Sequence, residues 1–298
     1  MMKIKNRSII VDVAKYQPSS VSSYVKNGAK AAIVQVSVSN SIKAPRAKAQ
    51  IASAKNNNVP DLAYFYACFG ASVSQAQKEA KYAVKAAREA GLSKGTYFGV
   101  DWENQDNYTG GSASANTSAI MAAMDVLKDA GYKPLLYSSA SLLRSKINVK
   151  KVTNKYGVCI WVASYPTTAP VSKPNFAYFP SMDGVLIWQF TDNWRGLNVD
   201  GNVVLADLSV SCETSHKKAK SKWEPITKTY TLSHALTLHT SPHISAPAIA
   251  KLPKGSSVIV DAKLQGPLRL WLRQPRSNDA YGYIVGKDKY GKWQGKLA

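Results

Sequence analysis

Apolar residues in the first two-thirds of the chain fall into two alternating kinds of run. Short, unbroken stretches rich in β-branched and aromatic residues ("SIIVDVA", "AAIVQVSV", "LAYFYACF", "TYFGVDW", "PLLYSS", "VCIWVASY" and "VLIWQF") have the length and composition of strands buried on both faces. Between the third and fourth, Ala80, Ala83, Val84 and Ala87 recur at helical spacing, with Lys78, Lys81, Lys85 and Arg88 covering the opposite side. Ser74 and Gln77 read as a capping box that opens this helix, and Gly91 as its stop. A second stripe of Ile120, Met124 and Leu127 ends at Gly131. Repeated strand, helix, strand units with apolar strands predict an α/β fold in which a parallel sheet is covered by helices. Seven or eight such strands within about 210 residues favour closure into a TIM-like modified (β/α) barrel. Its active site belongs at the carboxyl ends of the strands.

Beyond "VVLADLSVSC" the periodicity stops. The Lys-rich stretch "ETSHKKAKSKWEPITKT" predicts a linker, and "YTLSHALTLHTSP", "AIAKLPKGSSVIV", "LRLWLRQ" and "YGYIVG" are short strands broken by Pro and Gly. The expected organisation is a barrel domain over 1–211, a linker over 212–227 and a small all-β barrel-like module over 228–298.

Charge adds a partner class. Lys plus Arg number 39 against 18 Asp plus Glu, a net +21 that predicts attraction to polyanions: nucleic acid, anionic membranes or bacterial wall polymers. No glycine-rich backbone clamp or RNA-binding aromatic pattern supports nucleic acid. No uncharged apolar run approaches the length of a membrane span, so no membrane insertion is expected. In "MMKIKNRSIIVDVAKYQ", Asp12 interrupts the apolar stretch before it reaches the length of a signal-peptide core, so no secretory signal is expected. Cys68 and Cys159 sit in apolar strands and Cys212 in a polar stretch, a set with neither disulfide nor metal spacing; no metal or cofactor is expected.

Candidate chemistry lies in "GVDWENQ", where Asp101 and Glu103 end the fourth strand two residues apart and therefore on one face. Trp102 points the other way. Asp12 ends the first strand, and Asp200 follows the last in "NVDGNV", read as a loop; Asp192 and Asp207 are nearby alternatives to it. First and last strands are neighbours in a closed barrel, so four acids converge on one pocket, where each raises the proton affinity of the others. One protonated and one ionised carboxyl are what glycoside hydrolysis requires. Tyr64, Tyr66, Tyr137, Trp161, Tyr165 and Trp188 fall in or just after strands and are candidates to line a sugar groove; Gln189 joins the substrate-binding set. His216, His234, His239 and His243 all lie outside the barrel, so a Ser/His or Cys/His nucleophile finds no support.

These features combine into a resemblance. "IIVDVAKYQ", "FGVDWEN", "AGYKPLLYSS", "IWVASY" and "FAYFPSMDGVLIWQFTDN" together resemble glycoside hydrolase family 25, the muramidases frequent in phage endolysins, over residues 8–210. The tail resembles a bacterial SH3-like cell-wall-binding domain through "LTLHTSP", "LPKGSSVIV", "LWLR" and "GYIVG". The first resemblance implies hydrolysis of the β-1,4 bond between N-acetylmuramic acid and N-acetylglucosamine, with Glu103 as general acid and Asp101 assisting at the 2-acetamido group or the cationic transition state. Asp12 and Asp200 complete the pocket. The expected partners are the peptidoglycan of Gram-positive bacteria and its anionic wall polymers, and the expected location is the host cytoplasm until lysis, then the wall. Where many relatives carry a Lys and a Glu after the second strand, this chain has Gln35 and Val38. That departure leaves room for an alternative, a non-catalytic glycan-binding protein on the same fold.

Overall fold

The computed structural model describes residues 2–103, 109–210, 223–266, 268–276 and 280–298. The chain divides into two compact units, residues 1–214 and 215–298. In the first, strands β2 (Ile9–Val13), β3 (Ala32–Val38), β5 (Asp61–Tyr66), β6 (Tyr97–Asp101), β7 (Lys133–Ser139), β8 (Ile160–Ala163), β9 (Val185–Thr191) and β10 (Asp200–Val204) run in the order β2-β10-β9-β8-β7-β6-β5-β3. A further β2–β3 pairing closes them into an eight-stranded barrel. The short strand β4 (Ile42–Lys43) adds to β3 outside the closed ring, and β1 (Met2–Ile4) pairs with β11 (Leu208–Val210). Helices α1 (Ser22–Lys26), α2 (Ala47–Asn56), α3 (Val73–Ala90), α4 (Ala113–Asp129), α5 (Ala140–Ser145) and α6 (Val149–Tyr156) alternate with the strands.

Two local expectations are corrected. The cap of α3 is Ser72, whose hydroxyl accepts from Gln75 N–H, and not Ser74; the helix starts two residues earlier because Ser72 is the last residue with extended backbone. Gly91 ends it in the left-handed conformation (φ 85°), as the sequence predicts. Asp200 is not in a loop: it is the first residue of β10, which runs antiparallel to both β2 and β9. The run "DGNVV" is too short and too polar at its start to announce a strand, and pairing on both edges supplies what its composition does not.

Strand alternation separates two cores. Outward side chains such as Val34, Phe65, Phe98 and Val100 pack under the helices, whereas Ile10, Ile33, Leu62, Tyr64, Leu135, Tyr137, Trp161 and Ile187 fill the barrel interior. Gly99 makes that filling possible. A Cβ there would lie 3.2 Å from Tyr64 Cβ and 3.5 Å from the Trp161 ring, so the missing side chain is the space the indole occupies.

The second unit is a seven-stranded antiparallel sheet, order β14-β13-β17-β16-β15-β12-β18, built from β12 (Glu224–Leu232), β13 (Leu236–His239), β14 (Ala248–Leu252), β15 (Ser257–Gln265), β16 (Leu270–Pro275), β17 (Tyr281–Lys287) and β18 (Gly295–Leu297). Its own core is Tyr230, Leu232, Leu238, Val258, Val260, Leu272 and Ile284. The expected linker falls mostly on 211–222, outside the described residues; its last part, from Glu224, is already in β12, paired with Lys263 of β15.

Gly99→Val is expected to destabilise the barrel by about 1–3 kcal/mol through overpacking against Tyr64 and Trp161. Denaturant unfolding followed by tryptophan fluorescence measures it.

Candidate active site

The carboxyl ends of β2 and β6 and the amino end of the antiparallel β10 bring the acids together. Asp101 is the inward-facing last residue of β6, and its backbone is fixed on both sides: its carbonyl accepts from Ala67 N–H (2.8 Å), while Trp102 N–H donates to Tyr137 O (3.0 Å) and Trp102 O accepts from Ser138 Oγ (2.6 Å). Trp102 turns outward, buried, and its indole N–H donates to Gly70 O. Glu103 then returns to the inner side, half-buried, and hydrogen-bonds Asp101 and Tyr137. Across the mouth, Asp12 and Asp200 face one another in register on β2 and β10, and their carboxyls hydrogen-bond.

Four acids in so small a volume cannot all be ionised. Burial raises the proton affinity of Asp101 well above the usual carboxylate range, and the Glu103 charge raises it further. Burial likewise raises Glu103, partly offset by its hydrogen bonds from Asp101 and Tyr137. Asp200 is pushed up to about 10 by burial and then by the Asp12 charge. Asp12 is raised by burial but opposed by hydrogen bonds from Asn202, Gln189 and Asp200. The direct hydrogen bond within each pair needs a proton between its two carboxyls. Asp101 Oδ1 has no hydrogen-bond partner among the described residues, which a neutral carboxyl tolerates better than an anion.

Two amides hold the second pair. Gln189 Nε2 donates to Asp12 Oδ2 and to Asp200 Oδ2, both at 3.2 Å, while its Oε1 accepts from Tyr137 OH at 3.0 Å. Asn202 Nδ2 donates to Asp12 Oδ2 at 2.7 Å, and its Oδ1 accepts from Trp161 Nε1 at 2.7 Å.

The aromatic expectations divide. Tyr64 and Tyr137 are inward-facing near the acids and pack edge-on against Trp161; Tyr66 ends β5 beside Asp101. Tyr165, just past β8, is partly exposed, and the Asp192, Asp200, Glu103 and Asp12 charges reach its hydroxyl. Trp161 and Gln189 are 1% and 2% exposed and offer no face to a sugar: Gln189 hydrogen-bonds two acids, and Trp161 orients Asn202. Trp188 is on the wrong side of β9 altogether: it points out of the barrel, donates to Ser164 O and packs on Phe176 and Phe179. Strand parity decides this, because its neighbour Gln189 takes the inward position. Of the alternatives to Asp200, Asp207 is exposed and bridged to Lys5 and Asn6, whereas Asp192 lies near Asp200 without reaching Asp12 through a hydrogen bond.

Two residues escaped the sequence reading. Asn202 carried a usable signal, standing two positions from Asp200 as Glu103 does from Asp101. Glu79 did not: it sits on the apolar side of α3, where it accepts from Cys68 N–H, Gln75 Nε2 and Ser39 Oγ and ties together the loops after β3 and β5. Gln35 and Val38 lie half-buried at a register shift near the end of β3.

Residues 11–199 match the family model "Glycosyl hydrolases family 25". The chain belongs to that family. It is 42% identical over 175 residues to a lysozyme of Lactococcus phage mv1, an alignment covering 58% of this chain and 87% of the relative. It is 27% identical over 226 residues to a lysozyme of Streptococcus phage Cp-1, covering 76% of this chain and 61% of the relative. Among solved structures, the modular Cpl-1 endolysin complexed with a peptidoglycan analogue superposes with a TM-score of 0.59 at 21% identity, covering 93% of this chain and 77% of that one. At that identity the likeness speaks for the fold.

Raised carboxyl pKa values mean that the folded chain binds protons the unfolded chain releases, so this site destabilises the fold as pH rises from about 4, the unfolded value, toward about 10 for Asp200. Asp200→Asn, which mimics the protonated acid, is expected to raise the melting temperature at pH 8 more than at pH 5. Thermal melts at the two pH values check it.

Proposed function

We propose that this family 25 glycosyl hydrolase is a phage lysozyme that cleaves the β-1,4 bond between N-acetylmuramic acid and N-acetylglucosamine in peptidoglycan. The observation that carries the reading is the hydrogen-bonded Asp101–Glu103 pair, whose proton affinity burial raises and which opens to the barrel mouth through half-buried Glu103. The proton that Asp101 donates to Glu103 in the resting pair moves across that hydrogen bond, and Glu103 transfers it to the glycosidic oxygen as the bond from the muramyl C1 breaks. The leaving sugar departs as an alcohol, and positive charge develops on C1 and the ring oxygen. Asp12 and Asp200 stand opposite and place negative charge near that centre.

Asp101 and Glu103 hydrogen-bond directly. The family resemblance favours the substrate's own 2-acetamido oxygen, oriented by Asp101, as the source of the electron pair that stabilises C1, with water later opening that ring. Tyr64, Tyr66, Tyr137 and Tyr165 supply the aromatic and hydroxyl surface around the sugar.

The second unit is read as an SH3-like module that holds the enzyme on the Gram-positive wall. Residues 223–298 carry eleven Lys and Arg against four Asp and Glu, a surface suited to teichoic-acid phosphates and stem-peptide carboxylates. Retention at the substrate raises the local concentration the barrel works on.

Glu103→Gln keeps the shape and removes the transferable proton. It is expected to lower release of reducing ends from purified cell walls by about 10²–10⁴-fold, with mass spectrometry of wild-type digests showing N-acetylmuramic acid at the new reducing end. Unchanged activity, or N-acetylglucosamine at that end, contradicts the assignment. Binding of the whole chain to isolated walls is expected to weaken steadily from low salt through physiological ionic strength, where charges are screened over about 8 Å; co-sedimentation at several salt concentrations measures it.

A further inference from the structure

Asp12 and Asp200 share one proton, and the hydrogen bonds around them decide which keeps it. Gln189 does not discriminate, because its Nε2 stands 3.2 Å from an oxygen of each acid. Its orientation is also soft: the group facing Oε1 is the Tyr137 hydroxyl, which can rotate and either donate or accept. Asn202 is different. The Trp161 indole N–H is a donor only, and it faces Asn202 Oδ1 at 2.7 Å inside the barrel, so the amide cannot turn over without setting two donors against each other. Both Nδ2 hydrogens are then directed, one to Ile10 O (3.4 Å) and one to Asp12 Oδ2 (2.7 Å). Asn202 is fully buried, so water cannot substitute for any of these partners.

We infer that Asn202, locked in orientation by Trp161, is a positioning residue that keeps the negative charge of the pair on Asp12 and the proton on Asp200. A carboxylate oxygen accepts the fixed N–H favourably, whereas a proton on that oxygen would confront it. Asp200 has no such dedicated donor and gives its own proton to Asp12. The barrel mouth thereby presents one permanent anion on β2 opposite the proton-bearing pair on β6. Other groups bear on the same space: Asp101 and Glu103 from β6, Asp192 after β9, and the hydroxyls of Tyr64 (β5), Tyr137 (β7) and Tyr165 (after β8). Asp192 and Glu103 bear on Asp200 and favour the same placement of the proton, and the fixed N–H of Asn202 is the hydrogen bond that holds the charge on Asp12. What the anion does for the reaction rests on the muramidase reading; where the proton sits does not.

Carboxyl-carbon NMR titration of the whole chain, with Asp side chains isotope-labelled, tests the placement directly. Asp12 is expected to titrate below Asp200. In Asn202→Leu the Asp12 midpoint rises by about one pH unit or more, equivalent to a tenfold change in proton affinity. The acid limb of kcat on soluble peptidoglycan fragments moves up by the same amount, with KM and the alkaline limb unchanged. Trp161→Phe, which keeps the amide but frees it to turn, shifts both quantities in the same direction by less and serves if the leucine variant does not fold. Asp200 titrating below Asp12 in the unaltered chain overturns the inference, as does a variant whose rate falls equally at every pH. A chain that titrates as expected but leaves the glycan intact overturns the muramidase reading alone.

Discussion

The site depends on one constraint: four carboxyl groups share a space with too little water to hold them as four anions. Two protons are retained, one in the Asp101–Glu103 pair and one in the Asp12–Asp200 pair, and each pair is held by a direct hydrogen bond. The residual charge is held by the amide donors Gln189 and Asn202, of which Asn202 is locked in orientation by the Trp161 indole N–H. The aromatics inside the barrel therefore do more than fill it. The indole N–H of Trp161 sets which end of the Asn202 amide faces Asp12, and so where charge and proton reside.

The barrel supplies the rigidity such a network requires. Asp101 and Trp102 are fixed through their backbones by β5 and β7, so the carboxyls on β6 are placed by ladder geometry and not by loop conformation. Gly99, two residues earlier on the same inner face, gives up its own side chain so that Trp161 can lie across the interior and reach Asn202. On the outer side, Glu79 ties two of the rim loops to α3. A cluster of buried acids opposes folding, and the surrounding apolar layers offset it, a division of labour common where function and stability compete.

The chain's charge has two separate addresses. None of the described lysines and arginines is buried, so the excess positive charge faces solvent and suits association with polyanions. The four acids of the barrel mouth, Asp12 and Asp101 buried and Glu103 and Asp200 half-buried, are met by protons and amides rather than by lysines. Surface attraction and proton affinity are thus set by different residues. A change in one need not disturb the other.

Much of this was legible in the residue order. Short unbroken apolar runs gave the strands, the i, i+2 spacing of Asp101 and Glu103 placed both toward the mouth, and apolar strands separated by amphipathic helices implied a closed barrel. Family membership was also legible, because several ordered motifs carry it. Three things were not. The run from Asp200 to Val204 becomes a strand only because β2 and β9 offer it two edges, and without that pairing Asp200 and Asn202 have no defined face. Trp161 and Trp188 look alike in sequence, yet one fills the barrel and the other lies beneath Phe176 and Phe179. The distribution of protons among the acids depends on donors such as Asn202 and Trp161, whose distance from Asp12 along the chain says nothing of their distance in space. Local order fixes propensity and parity; burial and hydrogen-bond direction are properties of the closed barrel, and they decide which acid is charged.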